Sequence, residues 1–279
     1  MKVIEIINFG SNFLKENKIP AHILDSELLL SRTLDKTREE ILINLDAKVN
    51  EKSIHVFKEL LKRRSNNEPI AYILGEKEFY SKKFEVDNTT LIPRPETEIL
   101  VETIINIYKE KKITILDIGT GSGCIILSLL SSLKKSKGTG VDISKNAILV
   151  AKKNAKHHKL SNRVKFLNKS FEGIFSKKFD LIVSNPPYIE KKDIKNLSDD
   201  IKRYEPRLAL DGGKDGLDLI KKVIYKSKEI LKYNGTLALE IGSEQIKKVS
   251  SILIKKDYRI KTVLKDYKNN VRCVLATNN

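Results

Sequence analysis

Ile113-Thr114-Ile115-Leu116-Asp117-Ile118-Gly119-Thr120-Gly121-Ser122-Gly123 decides how the rest of the chain is read. An apolar run of strand length breaks into a glycine-rich turn. Cys124–Leu133 then continues as an apolar helix. Beyond this unit the same alternation repeats. Strands are expected at Gly138–Asp142, Val164–Leu167, Leu181–Ser184 and Gly235–Ile241, with two late ones near Tyr258–Val263 and Val271–Ala276. Helices fall between most of them, at Lys145–His157, Gly216–Leu231 and Ser243–Ile254. Such alternation implies an α/β fold with an open, mostly parallel sheet. No helix separates the last two strands, so they are expected to pair as an antiparallel hairpin at one edge.

Upstream the pattern is different. Residues 1–72 read as a small all-helical bundle. Val3, Ile6, Ile7, Phe9, Phe13 and Leu14 follow helical spacing. Asp25 is placed to cap a run containing Leu28, Leu29 and Leu30, and Thr37 with Glu40 three residues on forms a capping box. Val56, Leu60 and Leu61 mark a further amphipathic helix. Residues 73–92 read as a β-hairpin linker, with alternation over Glu78–Val86. Residues 93–279 form the α/β domain. It opens on Ile92-Pro93-Arg94-Pro95-Glu96-Thr97-Glu98, a loop held extended by two prolines, with a helix from Glu96 to Tyr108. Glu190–Asp200 is polar and reads as an exposed loop or short helix.

Composition narrows the function classes. With 40% hydrophobic residues in 279, the chain can bury a core. Its longest apolar runs are too short for a membrane span. The N-terminus lacks a secretory pattern. Cys124 and Cys273 are too few for a disulfide framework, and His22, His55, His157 and His158 show no metal-ligand spacing with them. A reduced, cytoplasmic protein without metal and without membrane contact is expected. The net charge of +17 would suit a nucleic-acid or ribosomal partner. The basic residues are mostly lysine, however, with Asn and Ile also abundant, as an A+T-rich genome would give. Direct nucleic-acid contact is therefore not expected to be essential.

The glycine turn suits a ligand: Gly119, Gly121 and Gly123 permit a tight turn and close approach, and the next helix offers free N–H groups. Asp142 ends the second strand about twenty residues on, where a carboxylate can accept from two ribose hydroxyls. That spacing is shared by NAD and S-adenosylmethionine sites and does not separate them. Asp117 does: dinucleotide sites usually have an apolar residue there, whereas an acidic one suits a cationic amino-acid end, through water or by ordering the loop. Asn185-Pro186-Pro187-Tyr188 follows the apolar strand Asp180–Ser184. Two prolines stiffen the strand end and remove donors while keeping carbonyl acceptors. Asn185 adds a side-chain acceptor and Tyr188 a flat ring. The combination suits a planar –NH2 group.

At these residues the chain resembles the class I methyltransferases that modify exocyclic or amide nitrogens. Within them it resembles the release factor glutamine methyltransferases of the HemK/PrmC family. The resemblance rests on Ile92–Glu98, Asp117–Gly123, Val183–Ile189, Tyr204–Leu210, the Asp211–Gly216 run, and Asp266 with Arg272. It implies a Rossmann-like class I methyltransferase fold behind a helical N-terminal domain that helps hold the substrate. It implies S-adenosyl-L-methionine as cofactor. As substrate it implies the glutamine of the Gly-Gly-Gln loop in class I peptide-chain release factors, methylated on its side-chain nitrogen. Carried over by position, Asp117, Gly119, Thr120, Gly121, Ser122, Gly123, Asp142, Phe171 and Asn185 serve the cofactor. Asn185, Pro186, Pro187 and Tyr188 hold the glutamine amide, with Asn185, Pro186 and Tyr188 acting in catalysis. Arg94 and Glu98 are expected to organise the site's entrance, and Glu205 and Arg207 to be structural. The sequence departs from the family pattern twice. Ser170 stands where an acidic residue usually meets the adenine amine, and Asn269 replaces a glycine; Asn tolerates left-handed turns better than most residues. The rival reading is a nucleic-acid N-methyltransferase acting on DNA adenine or ribosomal RNA guanine, against which no target-recognition domain or RNA-binding motif is found.

Overall fold

A computed structural model describes residues 1–175 and 178–279. The chain divides into two compact units. Met1–Gly75 with Ser198–Tyr204 forms one, and Glu76–Leu197 with Glu205–Asn279 the other.

The first unit contains α1 (Val3–Glu16), α2 (His22–Leu34), α3 (Arg38–Ile43), α4 (Glu51–Ser65) and α5 (Ile70–Leu74). In α1 the buried face is Val3, Ile6, Ile7, Gly10 and Leu14, a helical stripe that meets Leu29, Leu30, Phe57 and Leu61 in one core. Phe9, expected on that face, is exposed because it falls on the opposite side of the stripe. Val56 is likewise exposed, and its neighbour Phe57 takes the core position. Asp25 does not cap α2. The helix starts three residues earlier, at His22, and the Asp25 carboxylate is buried inside it, accepting from Arg64 Nε at 2.7 Å. Thr37 does form the capping box: its hydroxyl accepts from the Glu40 N–H and Glu40 accepts from the Thr37 N–H. The α5 helix ends at Gly75 in the left-handed conformation.

The second unit begins with a hairpin of β1 (Glu76–Phe79) and β2 (Lys82–Glu85), then α6 (Glu96–Tyr108), β3 (Thr114–Ile118), α7 (Cys124–Ser132), β4 (Lys137–Asp142), α8 (Lys145–His157), β5 (Val164–Asn168) and β6 (Phe179–Ser184). A single 3-10 turn (Ile194–Asn196) and α9 (Asp199–Tyr204) occupy the polar stretch after β6, and α9 groups with the first unit. The chain ends with α10 (Asp218–Ile230), β7 (Leu231–Glu240), α11 (Ile246–Lys255), β8 (Tyr258–Lys265) and β9 (Val271–Asn278). The helices α10 and α11 start two and three residues later than expected. Gly216 is left-handed at φ +70°, and the Gln245 side chain occupies the Gly242 N–H.

Seven strands form one sheet in the order β5-β4-β3-β6-β7-β9-β8. All neighbours through β7 are parallel; β9 is antiparallel to both β7 and β8, which is the expected edge hairpin. Pleating sends alternate residues to opposite faces. Ile115, Leu181, Val183, Ala238 and Leu275 pack with α6 and α7 on one side. Leu116, Ile118, Ile182, Leu237 and Val274 pack with α10 and α11 on the other. The β1-β2 hairpin sends Phe79 and Phe84 into the first of these cores, so it belongs with the sheet. From β3 the chain runs outward to β4 and β5, then returns to β6 on the other side. This order reversal leaves a crevice at the carboxyl ends of β3 and β6, where open α/β sheets bind ligands.

Candidate functional site

A cavity of about 370 Å³ occupies that crevice. Its walls come from the β3–α7 loop, the carboxyl end of β4, the turn after β6, and two flanking segments, Thr89–Thr97 and Pro206–Ala209.

The glycine loop is held by backbone bonds. Gly119 and Thr120 both donate to the Val141 carbonyl, at 2.9 and 3.0 Å, and Gly123 donates to Thr120 at 2.8 Å. Gly121 has φ +53°, and a Cβ there would meet nothing within 4 Å. The strain of a side chain is thus avoided and the loop's cavity side is left clear. Asp142 is tied to the same loop. One carboxylate oxygen accepts from Gly121 N–H at 3.0 Å and the other from Ser144 N–H at 2.9 Å. Each oxygen keeps a further lone pair. Ser144, not Asp142, caps α8. Phe171 is buried and lines the cavity, as does Ile143, which is 62% exposed and which sequence reasoning did not single out. Ser170 does not line it. Its hydroxyl caps the short turn Phe171–Gly173 by accepting from Glu172 N–H. The departure at Ser170 therefore supplies no polar contact to the cavity.

Asp117 lies behind the cavity wall rather than on it. It is fully buried, and its Oδ2 accepts from Thr120 Oγ1 at 2.7 Å. Burial pushes its carboxyl up to about 7, opposed by the Thr120 hydroxyl. Its observed contact is with the loop, which is the ordering role among the two expected of it. Cys124 is on the wall, but burial pushes its thiol up to about 12, so it is no thiolate nucleophile at neutral pH.

The turn after β6 brings Asn185, Pro186 and Pro187 onto the same wall system as Gly119–Ser122 and Asp142. Ser184 Oγ donates to the Ile118 carbonyl at 2.8 Å and locks the ends of β6 and β3 together. The Asp211–Gly216 run explains itself here. A Cβ on Gly216 would come within 2.4 Å of the Tyr188 carbonyl, so only glycine lets the run back the Asn-Pro-Pro-Tyr turn. Gln245 then donates to the Tyr188 and Gly216 carbonyls at 2.9 and 3.2 Å and staples the two segments. Tyr188, expected as a flat ring of the pocket, is not on the cavity wall. It packs half-buried against the α10/α11 core and donates to Glu240 Oε1 at 3.4 Å.

Arg94 lines the cavity, but its partner is Glu205 (2.6 Å) and not Glu98. Glu98 accepts instead from the Tyr80 N–H in the hairpin turn. Of the two residues expected to organise the entrance, Arg94 lines the cavity and Glu98 instead braces the hairpin turn. Glu205 also accepts from Ile92 N–H at 3.3 Å, which fits its expected structural role. Asn269 is left-handed at φ +66°, in the turn where glycine was expected.

Two residues that sequence reasoning missed stand directly behind Asn185. Glu240 ends β7, almost fully buried, and accepts from Thr97 Oγ1 at 2.5 Å. Asn185 Nδ2 donates to the same Thr97 oxygen at 3.4 Å. Burial pushes the Glu240 carboxyl up to about 7, with the Thr97 bond opposing. The available signal was a lone carboxylate closing an otherwise apolar strand, Leu237-Ala238-Leu239-Glu240. Asn154 was also missed. Buried on α8, it bonds both backbone groups of Glu85 and the Ser122 carbonyl, joining hairpin and glycine loop.

Sheet order, glycine loop and the carboxylate closing β4 together define the class I methyltransferase fold. A methyltransferase from Pyrococcus furiosus shares it, with a TM-score of 0.55 at 18% identity over 80% of this chain and 99% of that one. Two family models match: the PrmC N-terminal domain over residues 5–75 and the methyltransferase small domain over residues 94–203. A release factor glutamine methyltransferase of Clostridium botulinum is 40% identical, covering 96% of each chain. A bifunctional methyltransferase of Rickettsia conorii is 37% identical over 97% of this chain, which spans only 57% of that relative's length. The chain belongs to the release factor glutamine methyltransferase family.

Proposed function

We propose that the protein transfers a methyl group from S-adenosyl-L-methionine to the side-chain amide nitrogen of the glutamine in the Gly-Gly-Gln motif of class I peptide-chain release factors. The observation that carries this reading is the shared cavity. Asn185 and Pro186 face the same space as the glycine loop and Asp142, so an amide at one end lies beside a cofactor at the other. The residues fit that cofactor. The cleared space at Gly121, the spare lone pairs of Asp142 and the apolar walls of Phe171 and Ile143 suit a ribose, an adenine and an amino-acid tail. When bound, the cofactor supplies an electrophilic methyl group on a sulfonium.

An amide nitrogen is a poor nucleophile because its lone pair is delocalised. The Asn185 side-chain oxygen and the Pro186 carbonyl each accept one amide hydrogen. They aim the nitrogen and stabilise the positive charge that builds there, which is positioning together with electrostatic stabilisation. Loss of one such contact raises the barrier by about 3 kcal/mol, by analogy with an oxyanion-hole donor. No strong base is needed first, since the proton can leave after transfer. Tyr188 serves from behind, holding the turn through Glu240. The helices of residues 1–72, matched over 5–75 by the PrmC N-terminal domain, are assigned the recognition of the release factor; residues 93–279 carry the chemistry, with 73–92 between them. The test is transfer of a labelled methyl group from cofactor to a release factor, run beside DNA and ribosomal RNA. Label in the release factor alone is expected. Label in nucleic acid alone would favour the rival N-methyltransferase.

A further inference from the structure

The parallel register of β6 and β7 pairs Ser184 with Leu239, which sets Asn185 and Glu240 side by side as the next residues of the two strands. Between them sits Thr97, in the first turn of α6. Its hydroxyl has one hydrogen, and that hydrogen goes to Glu240 Oε2 at 2.5 Å. What remains on the Thr97 oxygen is lone pairs, so the group facing it from Asn185 has to be a donor. It is: Asn185 Nδ2 points at Thr97 Oγ1 at 3.4 Å. Were the Asn185 carboxamide turned over, its carbonyl would meet the Thr97 lone pairs, with the Glu240 carboxylate behind them.

We propose that Glu240 is a positioning residue: directly and through Thr97 it fixes the Asn185 carboxamide with its amino group inward, so that its carbonyl is offered to a substrate that donates hydrogens. This rests on the amide-methylation reading above and deepens it. It explains why a glutamine amide is taken in preference to the corresponding carboxylate, which has no hydrogen to give. The device favours an ionised Glu240, because both of its oxygens accept, one from Thr97 and one from Tyr188, and a neutral carboxyl or amide keeps only one acceptor for those two donors. The charged and titratable groups about Glu240 include Glu96 on α6, Cys124 on α7, Arg272 and Cys273 on β9, and Tyr188 after β6. Arg272 favours the ionised form and Glu96 opposes it. Burial is the largest influence and holds the carboxyl near 7, within reach of a pH profile.

The test uses the full chain with S-adenosylmethionine and a release factor. For Glu240→Gln the expected result is a kcat lower by about 100-fold, with cofactor affinity and melting temperature retained. Added to Asn185→Ala, the same change should lower the residual rate far less than it lowers the wild-type rate, because Glu240 acts chiefly through Asn185 and only secondarily through its bond to Tyr188. Wild-type kcat should rise with pH through the region of 7, and Glu240→Gln should lose that limb. If Glu240→Gln fails to fold, Thr97→Val removes the Thr97 route while leaving the direct Glu240–Asn185 contact, and should lower kcat by a smaller factor with cofactor affinity unchanged. Wild-type kcat in either folded variant, or losses from Glu240→Gln and Asn185→Ala that multiply, would overturn the proposal while leaving amide methylation standing. Absence of methyl transfer by the wild type to any release factor would remove both together.

Discussion

At the residue scale, the two ends of the cavity carry separable tasks. Asn185 faces the reacting nitrogen, whereas Asp142 braces the glycine loop and offers its spare lone pairs to the ribose. Asn185→Ala should therefore reduce single-turnover rate by about 100-fold or more with cofactor affinity little changed. Asp142→Ala should weaken cofactor binding first. Calorimetry alongside single-turnover assays distinguishes them; equal rates for wild type and Asn185→Ala would reject the role of Asn185. These residues were legible because each is fixed by its own neighbours in the chain, a glycine turn after a strand or two prolines after a strand. Thr97 and Glu240 were not. They are 143 positions apart, and only the packing of α6 against the end of β7 makes them one unit with Asn185. Tyr188 was misplaced for the same reason: a motif gives the residue, but the partner that turns its ring toward the core comes from a distant strand.

At the scale of elements, the Arg94–Glu205 pair binds the proline-braced loop before α6 to the segment Glu205–Ala209, and both segments wall the cavity. The Glu205 side chain is 1% exposed and that of Arg94 29%. Removing one partner of a buried pair, so that the other is fully stranded, costs about 3–5 kcal/mol. Glu205 keeps other contacts, the Ile92 N–H among them, and Arg94 is partly solvated, so Arg94→Ala should lower stability in urea denaturation by less than that, about 1–2 kcal/mol. Its loss should also reduce cofactor affinity by loosening two walls. An Arg94→Ala protein as stable as wild type would show that the segments are held by other contacts. Strand and helix existence was well marked by the apolar periodicity of β3, β4, β6 and α7. Element ends were less so. The start of α11 depends on Gln245 bonding Gly242, and Asp25, read as the cap of α2, is instead a carboxylate buried within that helix, whose partner Arg64 is 39 residues away. A polar residue ahead of an apolar run reads as a cap until that partner is seen.

Across the whole molecule, the second unit holds buried carboxyls in its sheet core that hydrophobic patterning alone would not have placed. Asp117 is ordinarily near 3.8 and is raised to about 7 by burial. A carboxyl raised in the folded state binds its proton more tightly there than in the unfolded chain. Its contribution to stability is complete below about pH 3.8 and is lost progressively until about pH 7. Denaturation curves across that window should show the wild type losing stability, as pH rises, relative to Asp117→Asn. Parallel slopes for the two proteins would mean that Asp117 does not titrate as its burial requires. The assignment as a whole joins that sheet end to one chemical event, and mass spectrometry of a release factor incubated with the protein and S-adenosylmethionine tests it most directly. The account predicts one added methyl group on the peptide carrying the Gly-Gly-Gln motif, located on the glutamine side chain, and a far smaller modified fraction with Asn185→Ala at the same incubation time. An unmodified glutamine beside methylated DNA or RNA would contradict it.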